Sequence, residues 1–209
     1  IRLMMYKEQK SKSARSFTNE RHLTAQSYRT QDKLNVRILT HQLYTQPKVD
    51  FVDWVLDKIT WQGNETAVDL GAGSGAYIQH GLARCQTYIA GDLSLGMVQA
   101  LPADVPRLNL DIQHIPLADN VADVVLANHM LYHVLDKDAA LAEIRRILRP
   151  GGHLVAATNS ATNMAELIDL RRQAMERLHV PLDPSWERSP VADLFSLENG
   201  RSLLQPHFS

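Results

Sequence analysis

The sequence predicts an α/β fold: a three-layer sandwich on a mainly parallel, doubly wound sheet, preceded by a helical cap. Three observations carry that prediction. The run Ala67-Val68-Asp69-Leu70 ends in glycines at alternate positions, Gly71, Gly73 and Gly75, as when a buried strand passes through a tight turn into a helix. Beyond it, short apolar stretches alternate with helical ones, the pattern of strands and crossover helices. Before it, apolar residues recur at roughly helical spacing, at Leu34, Ile38 and Leu43 and again from Phe51 to Ile59.

In chain order the first segment is a basic arm, residues 1–27. Residues 1–29 hold seven Lys/Arg against two acids, so this end is +5 in a chain whose formal net charge is −1. Such a Ser-rich, Arg-bearing stretch reads either as a solvated terminus or as a targeting or nucleic-acid segment. The near-neutral total argues against a general binder of nucleic acid or anionic membrane. The chain opens at Ile1, with Met4 and Met5 close behind, so the natural start is open. Residues 28–60 form the cap. One helix is expected over Tyr28–Tyr44 and is broken by Pro47. A second is expected over Val49–Asp57, with its apolar face on Phe51, Val52, Val55, Leu56 and Ile59.

Residues 61–209 form the α/β domain. Strands are expected at Ala67–Leu70, Thr87–Asp92, Arg107–Leu110, Ala122–Asn128 and Leu154–Thr158. Helices are expected at Ala76–Ala83, Leu95–Leu101 and Asp136–Leu148. A long helical stretch, Ala161–Val180, and a loop, Pro181–Pro190, make residues 161–195 a candidate lid, and Leu203–Gln205 continues a last helix. Right-handed crossovers leave few topologies. Ligands in such sheets lie outside the carboxyl ends of the strands. Asp69, Asp92, Asp111 and Asn128 all fall at such ends, so one cleft collects them.

Gly71 and Gly73 let backbone approach a ligand closely, and Gly71, Gly73 and Ala76 satisfy a dinucleotide fingerprint. Asp69 speaks against a dinucleotide, because it stands where such strands usually carry an apolar residue. Asp92 lies 21 residues after Gly71, near the ~20-residue spacing at which an acid meets ribose hydroxyls. A carboxylate accepts two hydrogen bonds from a vicinal diol, a need that several nucleoside cofactors share. Asp69 and Asp92 could also be turn or cap residues.

From about Ala67 to Asn159 these pieces, in this order, resemble the class I S-adenosylmethionine (SAM)-dependent methyltransferases, specifically the small-molecule, ubiquinone/menaquinone-biosynthesis type. The resemblance rests on Asp69-Leu70-Gly71-Ala72-Gly73-Ser74-Gly75, Gly91-Asp92-Leu93-Ser94, Asp111-Ile112, Asn128-His129-Met130-Leu131-Tyr132-His133 and Leu148-Arg149-Pro150-Gly151-Gly152. It implies a Rossmann-like methyltransferase fold and a SAM site. The loop Gly71-Ala72-Gly73 would wrap the methionine and ribose part, and Asp69 would help order the loop and the amino end. Asp92 and Leu93 would meet the ribose. Asp111 and the Ile112 backbone would meet the adenine, and Met97 would lie against the ring or in the core. Asn128 would line the cleft near the methyl group. Tyr28-Arg29 resembles a pair placed over the methionine end, although a solvated helix start reads equally well. Family members carry a Phe-x-Leu-Glu-Asn-Gly like Phe195–Gly200, followed by two closing strands. Those strands are missing from this sequence, so a longer protein is expected.

His129 and His133 are four apart, and on a short helix both would face one way. Either could line the acceptor pocket as a base or simply pack under the cap. No Cys, Glu or third His stands at a supporting interval, so no metal is expected. Methyl transfer from a sulfonium needs in-line SN2 approach and little else. Proximity and orientation supply ~7–11 kcal/mol, so the lack of an evident nucleophile does not count against an enzyme. The 44% hydrophobic content over 209 residues suits one globular domain. The single cysteine, Cys85, fits a reducing compartment. No apolar run approaches the ~18 residues of a membrane span. The sequence therefore reads as a soluble, cytoplasmic SAM-dependent methyltransferase with S-adenosylhomocysteine (SAH) as product and a small-molecule acceptor. Its oligomeric state is open. The alternatives are a SAM/SAH-binding protein without turnover, an RNA methyltransferase guided by the basic arm, or an NAD(P)-linked oxidoreductase.

Overall fold

A computed structural model describes residues 32–181 and 193–208, together with Thr18, Asn19, Leu23 and Thr24. Tyr28 and Arg29 lie outside the described residues, as does most of the basic arm. Two helices precede the sheet, α1 (Asp32–Tyr44) and α2 (Phe51–Leu56). Then come β1 (Thr66–Leu70), α3 (Ile78–Leu82), β2 (Thr87–Asp92), α4 (Leu95–Ala100), β3 (Arg107–Asn109), β4 (Ala122–Leu126), α5 (Lys137–Ile147) and β5 (Leu148–Val155). Helices α6 (Ala165–Arg177) and α7 (Gly200–Leu204) follow.

All four strand pairings are parallel, in the order β3-β2-β1-β4-β5. The order reverses between β1 and β4, and that switch point is where open α/β sheets leave a crevice for ligands. Period-two alternation sorts the side chains between two cores. Val68, Leu70, Val125 and Ala127 face Leu141, Ile144 and Ile147 of α5 on one side. Ala67, Tyr88, Ala90, Val124 and Leu126 face Val55 and Leu56 of α2 and Ile78 of α3 on the other. Apolar side chains on both faces are what covering by helices requires of parallel strands.

Local chemistry sets the helix starts. Asp136 caps α5 by accepting from the Ala139 N–H at 3.0 Å, and Ser94 caps α4 through Met97 N–H. Helix α2 is fastened to α3 by ion pairs: Asp53 with His80 at 2.7 Å and with Arg84 at 2.9 Å, and Asp57 with Arg84 at 3.1 Å. These contacts are largely solvated, so they contribute little to stability. Val55 and Leu56, both buried, do more to hold the cap helix down.

The structure differs from the sequence reading at several boundaries. Helix α3 begins at Ile78 rather than Ala76, because residues 71–77 stay in turns with Gly71, Gly73 and Gly75 at positive φ. Strand β5 begins at Leu148 rather than Leu154. Leu148 pairs with Ala122, and an irregularity in register carries Pro150-Gly151-Gly152 within the strand. Helix α6 is shorter than the stretch 161–180, and α7 starts at Gly200 instead of Leu203. Among the described residues β5 has no strand on its outer side.

Candidate functional site

The glycine loop between β1 and α3 closes on itself. Gly71 and Ala72 donate to the Gly91 carbonyl at 2.8 and 3.0 Å, and Gly75 donates to the Ala72 carbonyl at 2.8 Å. Gly73 donates to Asp92 Oδ2 at 2.9 Å. Four of the N–H groups that could cradle a phosphate are thus already bonded within the protein. A pyrophosphate-binding turn keeps such donors free, so this loop is suited to a ligand that lies against it without a phosphate. A side chain at position 71 would put its Cβ 2.8 Å from Met130 Cβ, and the residue sits at φ 74. Glycine is required there because β4's end crosses so closely.

Asp92 ends β2. Its second oxygen, Oδ1, accepts from the Ser94 N–H at 2.8 Å, so one carboxylate ties the glycine loop to the start of α4. Burial raises its pKa against the pull of these two N–H donors. Each oxygen has a further lone pair available to a ligand hydroxyl. Leu93, next in the chain, is half-buried, and its carbonyl accepts from Asn109 Nδ2 at 2.9 Å.

Asp69 is buried and takes its one described hydrogen bond from the Tyr88 hydroxyl, at 2.8 Å. Burial, the largest influence, pushes its pKa up to about 7, and the neighbouring Asp92 charge adds to this against the Tyr88 bond. Desolvation and the Asp69 charge raise the pKa of Tyr88 in turn, so the phenol stays a donor. Tyr88 escaped the sequence reading. Its signal was a tyrosine in the middle of a buried strand, where the hydroxyl needs an acceptor.

Asn128 follows β4. Its Oδ1 accepts from the Ala157 N–H at 2.9 Å, while its buried Nδ2 has no partner among the described residues. A buried amide donor left unpaired costs ~1–3 kcal/mol, so this is a place a ligand acceptor would be welcomed. Asp111 lies beyond β3 and is engaged by Gln113, whose N–H and Nε2 donate to it at 2.9–3.0 Å. Gln113 Oε1 accepts from the Asp136 N–H at 3.0 Å, joining this loop to the cap of α5. Ile112 turns its side chain into the core, leaving backbone as its surface for a ligand. Met97 is fully buried in α4.

The two histidines do not share a helix face, which corrects the expectation from their spacing. His129 sits at φ 55, outside any helix, and donates its backbone N–H to the Ala157 carbonyl at 2.7 Å. His133 closes a short 3-10 turn, Leu131–His133, with its ring 4.5 Å from that of Tyr132. The physical reason is the left-handed bend at 129, which redirects the chain before the turn begins. The His129 ring lies 5.6 Å from Phe51 of α2. Burial first, then the nearby His41 of α1, lowers its pKa. The cap helices therefore cover the end of β4 and hold a neutral imidazole there.

The structure thus gathers Asp69, Gly71, Ala72, Gly73, Asp92 and Asn128 at the switch point. Comparisons with known proteins agree with this geometry. Residues 68–156 match a family model described as a methyltransferase domain. Over 117 residues the chain is 35% identical to the malonyl-[acyl-carrier protein] O-methyltransferase of Yersinia pestis, covering 54% of this chain and 43% of that protein. Over 132 residues it is 31% identical to a demethylmenaquinone methyltransferase of Mycolicibacterium vanbaalenii, covering 63% and 54%. The chain spans about half the length of the curated relatives it matches. A solved SAM-dependent methyltransferase from Thermotoga maritima shares the fold at a TM-score of 0.59 and 19% identity, over 83% of this chain and 76% of that one. Over residues 68–156, and in the β3-β2-β1-β4-β5 order of its sheet, the chain is thus similar to known methyltransferase domains.

Proposed function

We propose that this chain moves a methyl group from SAM to a small-molecule acceptor by in-line SN2 displacement, releasing SAH. The observation that supports it most is the glycine loop. Its N–H groups are consumed internally while Asp92, beside it, keeps lone pairs for a diol. That combination suits a nucleoside with a ribose and no phosphate.

In this reading Gly71, Ala72 and Gly73 give the ligand a close backbone wall, and Asp92 with Leu93 holds the ribose. Asp111 and the backbone at Ile112 take the adenine edge, and Met97 supports the floor from within the core. Asp69 and Asn128 take the methionine end; Tyr28 and Arg29, assigned to the same end by the resemblance alone, lie outside the described residues. SAM when bound supplies a methyl on a sulfonium, already activated for transfer. The chain's task is to orient it and to exclude water. His129, kept neutral by burial, can accept a proton from an acceptor hydroxyl or amine, and His133 lies one turn on as a second pocket-lining candidate. Residues 161–195 would complete the acceptor side. No helix among the described residues is long and apolar enough to cross a membrane.

Titration calorimetry of the protein with SAM, SAH and NAD+ tests this. Binding of SAM and SAH without NAD+ is the expected result. Preference for NAD+ would return the oxidoreductase reading. Binding without turnover across acceptor panels would leave a SAM/SAH-binding protein.

A further inference from the structure

Phe51, the first residue of α2, is 44% exposed although the helix it opens is docked through buried Val55 and Leu56. Its ring has specific company. It lies 5.6 Å from the His129 ring and 5.7 Å from that of Trp54, at 24° to the latter. Lys58 Nζ in turn rests 3.8 Å from the centre of the Trp54 ring. Phe51 and Trp54 are three apart and so neighbours on the helix surface. The row His129, Phe51, Trp54 and Lys58 therefore joins the segment after β4 to the exposed flank of the cap helix.

Both ends of the Phe51–His129 contact are fixed. On α2, Asp50 caps the helix by accepting from the Asp53 N–H at 3.1 Å, and Arg84 of α3 reaches Asp53 and Asp57 from elsewhere on the helix. After β4, His129 stands at φ 55, a left-handed conformation that a side chain keeps only where its surroundings hold it. The holding is visible. The His129 N–H donates to the Ala157 carbonyl at 2.7 Å, and Asn128 Oδ1 accepts from the Ala157 N–H at 2.9 Å. The backbone that carries the imidazole is thus pinned to the end of β5. Among the charged groups nearby, His41 of α1 acts on the ring. On α2, Asp53 and Asp57 are turned to His80 and Arg84 and Asp50 to the cap, while His133 packs its own ring on Tyr132. Burial, ahead of His41, is what holds the His129 pKa below its ordinary value.

We propose that Phe51 is a positioning residue: through its ring the docked cap helix seats the His129 imidazole beyond β4 and keeps water from it, readying it to take the proton of an acceptor. The inference rests on the SAM reading and on His129 as its base, and it adds a residue that no motif marks. An acceptor O–H that breaks there gives its proton to the free imidazole nitrogen. The oxygen keeps the electron pair with which it attacks the methyl carbon, and that carbon's former bonding pair stays on sulfur. Phe51 touches none of these atoms and acts only through His129.

The test is NMR titration of the histidine rings in the SAH-loaded protein, with the His129 signal assigned by His129→Gln. In the unaltered protein His129 should titrate below the ordinary 6.5. Phe51→Ala uncovers the ring and should move its titration up by about half a pH unit or more, a partial release of desolvation. Phe51→Leu keeps an apolar cover and should restore the low value. Arg84→Lys keeps the charge but breaks the two-pronged pairing with Asp53 and Asp57 without touching the ring contact; it should leave His129 where it is. The other histidines serve as the check on folding and should not move in any variant. An unmoved His129 titration in Phe51→Ala, or an equal rise in Arg84→Lys, overturns this inference and leaves the SAM reading intact. SAH affinity should be the same in all three variants, and a loss confined to Phe51→Ala would make Phe51 a cofactor contact and overturn the assignment to the acceptor side. Failure of the unaltered protein to bind SAH overturns the SAM reading and the base role of His129 with it.

Discussion

At the carboxyl end of β2, both oxygens of Asp92 are held by backbone N–H groups, and Asp69 on the neighbouring strand is sealed under Tyr88. On α6, a helix of 13 residues, no side chain is buried, and Leu167 and Leu170 face solvent among the described residues. Helix α1 resembles it, with Val36, Leu39 and Leu43 exposed. Both kinds of region mix apolar and charged residues. They differ in whether the sheet supplies a partner. The strand ends hold their side chains in one arrangement, braced by hydrogen bonds to backbone and to Tyr88. The flanking helices keep apolar surface exposed.

The largest effect should come from breaking the closed side at Asp92. Asp92→Ala strands the N–H groups of Gly73 and Ser94 and removes the proposed diol acceptor. We expect a loss of ~2–3 kcal/mol in urea unfolding. SAH binding should weaken at least ~100-fold, as two lost ribose hydrogen bonds would give. Binding within a few-fold of the unaltered protein would mean that the ribose is held elsewhere and that Asp92 is only a brace for the loop.

A smaller effect separates Asp69 from Asp92. The folded-state pKa of Asp69 is about 7, against an ordinary 3.8. The unfolded chain therefore loses this proton first as pH rises. Asp69's contribution to stability declines between about pH 4 and pH 7 and is level above that. A ligand ammonium favours the ionised form, so the dependence of binding has the opposite sign. SAH affinity should rise about tenfold from pH 6 to pH 8, since only about a tenth of the group is ionised at the lower value. Asp69→Asn, which keeps an acceptor for Tyr88, should flatten both profiles. A rise that persists in that variant would assign the titration to another group.

The same contrast explains what could be read from the sequence. Strands β1 and β2 are legible almost to the residue, because buried parallel strands are continuous apolar runs and each ends in glycine or an acid. The parallel order and the gathering of Asp69, Asp92 and Asn128 follow from strand–helix alternation. The start of α3 was misplaced because three glycines at positive φ delay the helix, and Ala76 gives no local sign of that. The start of β5 was missed because Pro150-Gly151-Gly152 has the composition of a turn, while the pairing of Leu148 with Ala122 that carries it into the sheet is a tertiary fact. The link between Asp69 and Tyr88 joins residues 19 apart, and no motif spans it.

The smallest effect should fall on α6, where the comparison can be broken most directly. Leu170 is 63% exposed on a helix whose first turn has no side-chain cap, since Met164 stands at φ 64. Replacing it with glutamate removes little packing and adds a solvated charge to a helix-compatible position. Leu170→Glu should change unfolding free energy by less than ~0.5 kcal/mol and leave SAH affinity unaltered. If residues 161–195 shape the acceptor side, the same variant raises KM for an acceptor with kcat for the bound substrate held. A cost of several kcal/mol would instead mean that this face is covered in the folded protein, and the division between a closed cofactor side and an open flank would fall at α6.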